Sequence, residues 1–165
     1  MATRLWLVRH GQTDWNLEGR IQGHTQTELN AAGLEQAQRL ARYFAGRSFA
    51  AVYASDLRRA VQTAEPIAGV LRLEVHTTPL LRERDLGPYE GLLEPDAVAR
   101  RRESGAASGT GDLADWTGVP GVETDDQIWQ RCDQVYQQIS ASHPDADVLV
   151  DNNVIPAARA ISDQR

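Results

Sequence analysis

The apolar positions of this chain fall into short runs and helical stripes that alternate along its length. Leu5-Trp6-Leu7-Val8 is a continuous apolar run of strand length, the pattern of a strand covered on both faces. It ends abruptly at Arg9-His10-Gly11. Asn30 is a suitable N-cap for a helix that carries Leu34, Ala37, Leu40, Ala41 and Phe44 on one face. Ala51-Val52-Tyr53-Ala54 predicts a second buried strand. Ser55 or Asp56 then caps a helix with Leu57, Ala60, Val61, Ala64, Ile67 and Ala68 inward, kinked late by Pro66, which has no N–H to donate. Leu71 to His76 suits a third strand, with Arg72 and Glu74 on its polar alternation. Residues 95–103 are weakly helical, and the Gly/Ser-rich stretch from Ser104 to Gly111 predicts a mobile loop. Ile128, Cys132, Val135 and Ile139 are spaced as on an amphipathic helix, and Val148-Leu149-Val150 is a last short strand.

Strands that alternate with helices imply an α/β fold, a three-layer αβα sandwich around a mostly parallel central sheet. The pattern shows no internal repeat, so residues 1–165 read as one domain, long enough to bury a substantial core. In such sheets ligands bind beyond the carboxyl ends of the strands. Arg9-His10-Gly11 and the segment from Ser55 to Arg59 both follow strands at that edge.

Composition narrows the function. Hydrophobic content of 41% and charged content of 24% are those of a soluble globular domain. No run approaches a membrane span and the N-terminus lacks a secretory pattern, so the expectation is a cytoplasmic protein with no membrane partner. Cys132 is the single cysteine, and His10, His24, His76 and His143 lack zinc-binding spacing, so no disulfide, metal or other cofactor is expected. A net charge of −6 argues against nucleic acid as a partner. Arg100-Arg101-Arg102 reads as a solvated helix face. An acidic protein that binds an anion must concentrate positive charge locally.

Arg9-His10-Gly11 offers such a place. A neutral imidazole is a good nucleophile toward phosphorus, and the Arg9 guanidinium presents a rigid fork of donors for phosphate oxygens. Gly11 lets the chain turn sharply and lets a ligand approach. Asn16 adds a neutral donor. Arg59 opens a helix whose first-turn N–H groups suit a phosphate dianion. Glu83, between Arg82 and Arg84, is placed to protonate a departing alkoxide or to form an ion pair with a neighbouring arginine.

Leu7-Val8-Arg9-His10-Gly11-Gln12-Thr13-Asp14-Trp15-Asn16 closely resembles the signature of the histidine phosphatase (phosphoglycerate mutase-like) superfamily. The resemblance continues through Gly19 to His24, Ala32 to Ala37, Tyr53 to Ala64 and Leu81 to Gly91, and weakly through Pro120 to Thr124. It implies a phosphoglycerate mutase-like fold and metal-free chemistry. His10 would take the phosphoryl group, Arg9, Asn16 and Arg59 would hold it, and Glu83 would protonate the leaving oxygen and then activate water. Gln22-Gly23 corresponds to the family's substrate-contacting turn. Of the other histidines, His24 maps to the rim of the pocket and His143 to an ordinary turn before a strand.

The chain departs from the family after its last predicted strand. A second histidine, in a Ser/Thr-His-Gly-Gly context, is replaced by Asp151-Asn152-Asn153, and the chain looks shortened at its C-terminus against relatives. Asn152 or Asn153 could supply a neutral donor, whereas Asp151 would repel phosphate. Gln26 and Glu28 stand where relatives often carry Asp and Pro, which bears on substrate preference. The resemblance implies a phosphomonoesterase acting on a small phosphorylated substrate, the short segment from Gly91 to Val122 favouring phosphatase over mutase. A mutase, with Arg100 to Arg102 retaining a second phosphate, and a catalytically weak phosphate-ester-binding protein are the alternatives. Relatives of this kind often form homodimers.

Overall fold

The computed structural model describes residues 2–104, 116 and 118–151. Its elements run β1 (Arg4–Val8), α1 (Asp14–Glu18), α2 (Ala31–Phe44), β2 (Ala51–Ala54), α3 (Arg58–Leu71), β3 (Val75–Thr77), α4 (Glu94–Glu103), α5 (Asp125–Ser142) and β4 (Asp147–Asp151). Among the described residues one sheet forms, in the order β1-β4-β2-β3, with every pairing parallel. The two central strands carry the most apolar faces: Val148, Leu149, Val150 and Val52 are completely buried.

Helices cover both sides, as the alternation of elements requires. On one face Ala41 and Phe44 of α2 and Ala60, Ala64 and Ile67 of α3 pack on Val52, Ala54 and Leu149. On the other, Ile128, Cys132, Val135 and Ile139 of α5 pack on Ala51, Val148 and Val150. A smaller cluster of Leu86, Tyr89, Ala97, Trp116, Val119 and Val122 lies under the segment after β3. The three-layer αβα architecture is present.

Several local expectations need correcting. β1 pairs only with β4 among the described residues, so Leu7 is 46% exposed; a continuous apolar run here marks a half-covered edge. Leu34 is exposed because the close approach of α2 to the His10 loop is made by Gly33, one residue earlier. Neither Ser55 nor Asp56 caps α3: Leu57 takes the N-cap without a side-chain bond, and Asp56 instead accepts from Arg82. α3 passes through Pro66 and continues to Leu71, ending at Arg72 with φ 60°. The third strand therefore begins at Val75, later than the apolar pattern places it. The stretch predicted as a mobile loop, beyond Ser104, lies outside the described residues.

Candidate active site

Three strands end together at one edge of the sheet. In the register, Val8 of β1 and Ala54 of β2 flank Asp151 of β4 on either side. The residues that follow Val8 and Ala54 turn over this edge, and His10, Ser55, Leu57, Arg59, Ala60, Leu81, Glu83 and Asp151 line one small cavity there.

The His10 loop is held by its backbone. Gly11 N–H donates to Thr63 Oγ1 of α3 at 3.0 Å, and that hydroxyl donates to Arg59 O at 2.7 Å. Gly11 and Gly33 face each other so closely that a Cβ on Gly11 would stand 2.5 Å from Gly33 O. His10 itself is 9% exposed, with Nδ1 2.7 Å from Gly11 O. A carbonyl only accepts, so Nδ1 carries the proton and Nε2 keeps its lone pair. Burial lowers the His10 pKa to about 4; the Gly11 bond works against this, and the charges of Arg59 and Arg9 reinforce it. At neutral pH the ring is an uncharged base.

Arg59 is 1% exposed, yet it meets no carboxylate at contact distance among the described residues. Its guanidinium donates to Gly23 O at 2.7 Å, Thr25 O at 2.9 Å and Thr27 Oγ1 at 3.3 Å. Burial lowers its pKa, opposed by the charges of Glu83, Asp151 and Glu90. The loop that receives it is organised by Glu90, which accepts from His24 N–H at 2.7 Å and Thr25 Oγ1 at 2.7 Å. Gly23 sits at φ 50°, where a Cβ would run into the Glu90 carboxylate, so this turn requires glycine.

Glu83 lines the same cavity, and its Oε1 accepts from Arg84 N–H at 2.8 Å. The two flanking arginines turn elsewhere: Arg82 grips Asp56 through two bonds of 2.6 and 2.5 Å, and Arg84 reaches Asp125 at 2.6 Å. Its backbone is clamped from two sides. Glu83 O accepts from His24 Nε2 at 2.8 Å and from Arg131 Nη2 at 3.1 Å, while Arg131 Nη1 also holds Leu80 O and Arg82 O. Arg131 is locked in turn by Glu123. Burial works against the Glu123 charge, but the Arg131 hydrogen bond prevails and its pKa falls below the ordinary value.

The remaining candidates, Arg9, Asn16, Gln22 and Gly23, are not among the residues that line this cavity. Arg9 is exposed. Asn16 closes the capping box of α1, its Oδ1 accepting from Thr13 N–H, which leaves the amide nitrogen as the outward donor. Gln22 Oε1 accepts from Thr27 Oγ1 at 2.6 Å, so Gln22 braces the loop that receives Arg59. His24 holds the Glu83 segment, a more definite role than a place on the rim. His143 ends α5 and bonds Tyr53, away from the site. Thr63, Glu90 and Arg131 were not anticipated, because they act through bonds between distant segments; Asp151, expected to repel phosphate, lines the cavity. Among the described residues no group of three or more His, Cys, Asp or Glu is placed to hold a metal ion.

The carboxyl edge of the parallel sheet thus carries a buried, neutral histidine beside Arg59, which meets no carboxylate at contact distance among the described residues. The chain belongs to the histidine phosphatase superfamily (branch 1), whose profile matches residues 5–152. It is 42% identical over 146 residues to phosphoglycerate mutase-like protein 4 of Arabidopsis thaliana, a match covering 87% of this chain. It is 38% identical over 154 residues to the metal-independent phosphoserine phosphatase of the same plant, covering 90% of this chain. Each match spans 63% of the relative's own length. Among solved structures, a putative alpha-ribazole-5'-P phosphatase from Escherichia coli superposes with a TM-score of 0.80 at 32% identity, covering 92% of this chain and 74% of that one. A mycobacterial glucosyl-3-phosphoglycerate phosphatase in complex with VO3 superposes at 0.76 and 33% identity, covering 88% and 73%. Among the described residues no helix is long and apolar enough to cross a membrane.

Proposed function

We propose that the chain is a phosphomonoesterase that hydrolyses a small phosphorylated metabolite through a phosphohistidine on His10. The observation that carries this is the state of His10: neutral, with Nδ1 bonded to Gly11 O and Nε2 unengaged among the described residues, in a cavity shared with Arg59 and Glu83. In the first step Nε2 attacks phosphorus and the ester P–O bond breaks. Its electron pair leaves with the alcohol oxygen, which takes the proton of Glu83. In the second step Glu83, now a carboxylate, removes a proton from water as the water oxygen attacks phosphorus. The P–N bond breaks, the pair returns to Nε2, and inorganic phosphate departs with Glu83 protonated again.

Arg59 and Arg9 supply the positive field for the phosphoryl oxygens, and Asn16 and the Gln22-Gly23 turn border the ester's organic part. Relatives named as phosphoserine and glucosyl-3-phosphoglycerate phosphatases support a small-molecule monoester as substrate. The mutase alternative has less support, because Arg100 donates to Pro88 O and lies over the Tyr89 ring, and Arg101 is buried against Trp116.

Hydrolysis of an aryl phosphate tests the reading. Turnover that is insensitive to EDTA and abolished in His10→Ala, with an acid-labile phosphoprotein trapped by rapid denaturation in alkali, is the expected result. Turnover that survives in His10→Ala refutes it. Tight binding of phosphate without turnover would favour the weak phosphate-ester binder.

A further inference from the structure

The cavity holds a carboxyl group that the chemistry above does not use. Asp151 is the last residue of β4, seated between Val8 and Ala54 in the sheet, and its side chain lines the cavity with His10, Arg59 and Glu83. It is 2% exposed, and its Oδ2 is buried with no hydrogen-bond partner among the described residues. Buried polar atoms are nearly always bonded, so an orphaned oxygen in a ligand cavity marks a place completed by the ligand.

We propose that Asp151 is a further phosphate-contacting residue, its neutral carboxylic acid donating a hydrogen bond to the phosphoryl group at His10, so that this site takes up phosphate together with a proton. The inference rests on reading the cavity as the phosphate site.

Charge and burial decide the protonation state. An ionised carboxylate there would be desolvated without a donor, a costly arrangement. The groups that face it are Arg59 from α3, His10 from the loop after β1 and Glu83 from the segment after β3; its neighbours in the sheet, Val8 and Ala54, are apolar. His10 is uncharged at neutral pH. Arg59 favours the carboxylate, but Asp151 Oδ2 accepts no hydrogen bond from it and burial prevails: the Asp151 pKa lies well above the ordinary carboxylate value. A neutral acid donates one hydrogen bond to a phosphate oxygen, whereas the ionised form repels the same oxygen. The expected repulsion at this position is therefore replaced by attraction while the proton stays.

The sign follows from linkage. A bound phosphate dianion raises the Asp151 pKa further, so binding consumes a proton wherever Asp151 starts partly ionised. Affinity falls as pH rises through its pKa.

Calorimetric titration with inorganic phosphate, from about pH 5 to about pH 9 in two buffers of different ionisation enthalpy, tests this. Relative to Asp151→Asn, which donates from a permanently neutral amide, the wild-type chain should take up additional protons and lose affinity more steeply on the alkaline side. Asp151→Ala should bind phosphate more weakly than either on the acid side, and its aryl phosphate turnover should fall on the order of 10²–10³-fold, as for loss of one phosphoryl-facing donor. Identical proton uptake and pH dependence in the wild type and Asp151→Asn would overturn the proposal, even if Asp151→Ala fails to fold. Turnover by the wild type that is abolished in His10→Ala but indifferent to position 151 would sink this inference alone. Proton-linked phosphate binding without turnover would uphold it while removing the phosphatase reading.

Discussion

Replacing Gly33 by alanine sets two well-known effects against each other. In an open helix the change is favourable by about 1 kcal/mol, because glycine is a poor helix former. Gly33 is the third residue of α2, but a Cβ there would stand 2.1 Å from Gln12 O and 2.8 Å from Gln12 N. Both are backbone atoms, so no flexible side chain can move aside. Forcing extra volume into a packed site costs roughly 1–3 kcal/mol, which exceeds the propensity gain. We expect a net loss of up to about 2 kcal/mol, or a Tm lower by up to roughly 8 °C for a chain of this size.

The displacement has a second effect. Gln12 follows Gly11, whose carbonyl fixes His10 Nδ1, so relief of the clash moves the nucleophile. A shift near 1 Å costs on the order of 10² in turnover. Gly69→Ala is the matched control: Gly69 lies in α3 with nothing within 4 Å of its added Cβ, and the change should stabilise by about 0.5–1 kcal/mol. Urea unfolding and aryl phosphate kinetics on both variants supply the measurements. If Gly33→Ala is as stable and as active as the parent while Gly69→Ala gains, the close approach does not position His10.

Titration of His10 followed by the NMR shift of its ring Cε1–H should show a midpoint near 4, and a midpoint near 6.5 would mean that the ring is not desolvated by its surroundings. Because this pKa is lowered on folding, His10 destabilises the fold only as pH falls below the unfolded value, and His10→Gln should flatten that part of the acid unfolding curve. Glu123→Gln should cost about 1–3 kcal/mol at neutral pH by weakening the grip on Arg131. Since the Glu123 pKa is lowered in the fold, that difference should shrink as pH falls through it; an equal loss at all pH values would exclude ion pairing as the cause. Arg59→Lys should weaken phosphate binding roughly tenfold or more, because one ammonium cannot span the three acceptors that seat the guanidinium; unchanged binding would remove Arg59 from the site.

Periodicity alone was enough to locate most of the scaffold. β4 and the inward face of α5 were legible because deeply buried strands and helix faces must be continuously apolar or spaced by turns. Boundaries governed by backbone geometry were not: Arg72 ends α3 in the left-handed region, which no apolar pattern announces, and so the third strand was placed too early. At the site, His10 and Arg59 stood out because their chemistry is concentrated in short motifs. Arg131, Glu90 and Thr63 did not, since each acts through bonds to segments tens of residues away. Asp151 was legible as a charge at a strand's end, and repulsion of phosphate was the natural expectation. Only its burial reverses the sign.

Those long-range bonds also explain how a chain of net charge −6 can leave positive charge beside one cavity. Around the cavity most cations are neutralised: Arg58 pairs with Glu28, Arg82 with Asp56, Arg84 with Asp125 and Arg131 with Glu123. Arg59 is treated differently, its guanidinium held by carbonyl and hydroxyl oxygens that orient it without cancelling its charge. Arg9 makes no ion pair among the described residues. Arg59 and Arg9, without carboxylate partners among the described residues, therefore add positive potential near His10 that the net charge does not reveal. The same two charges add to burial in keeping His10 unprotonated. Attraction for a phosphate and nucleophilicity of the imidazole thus share a physical origin, and pairing Arg59 with an introduced carboxylate should impair both together.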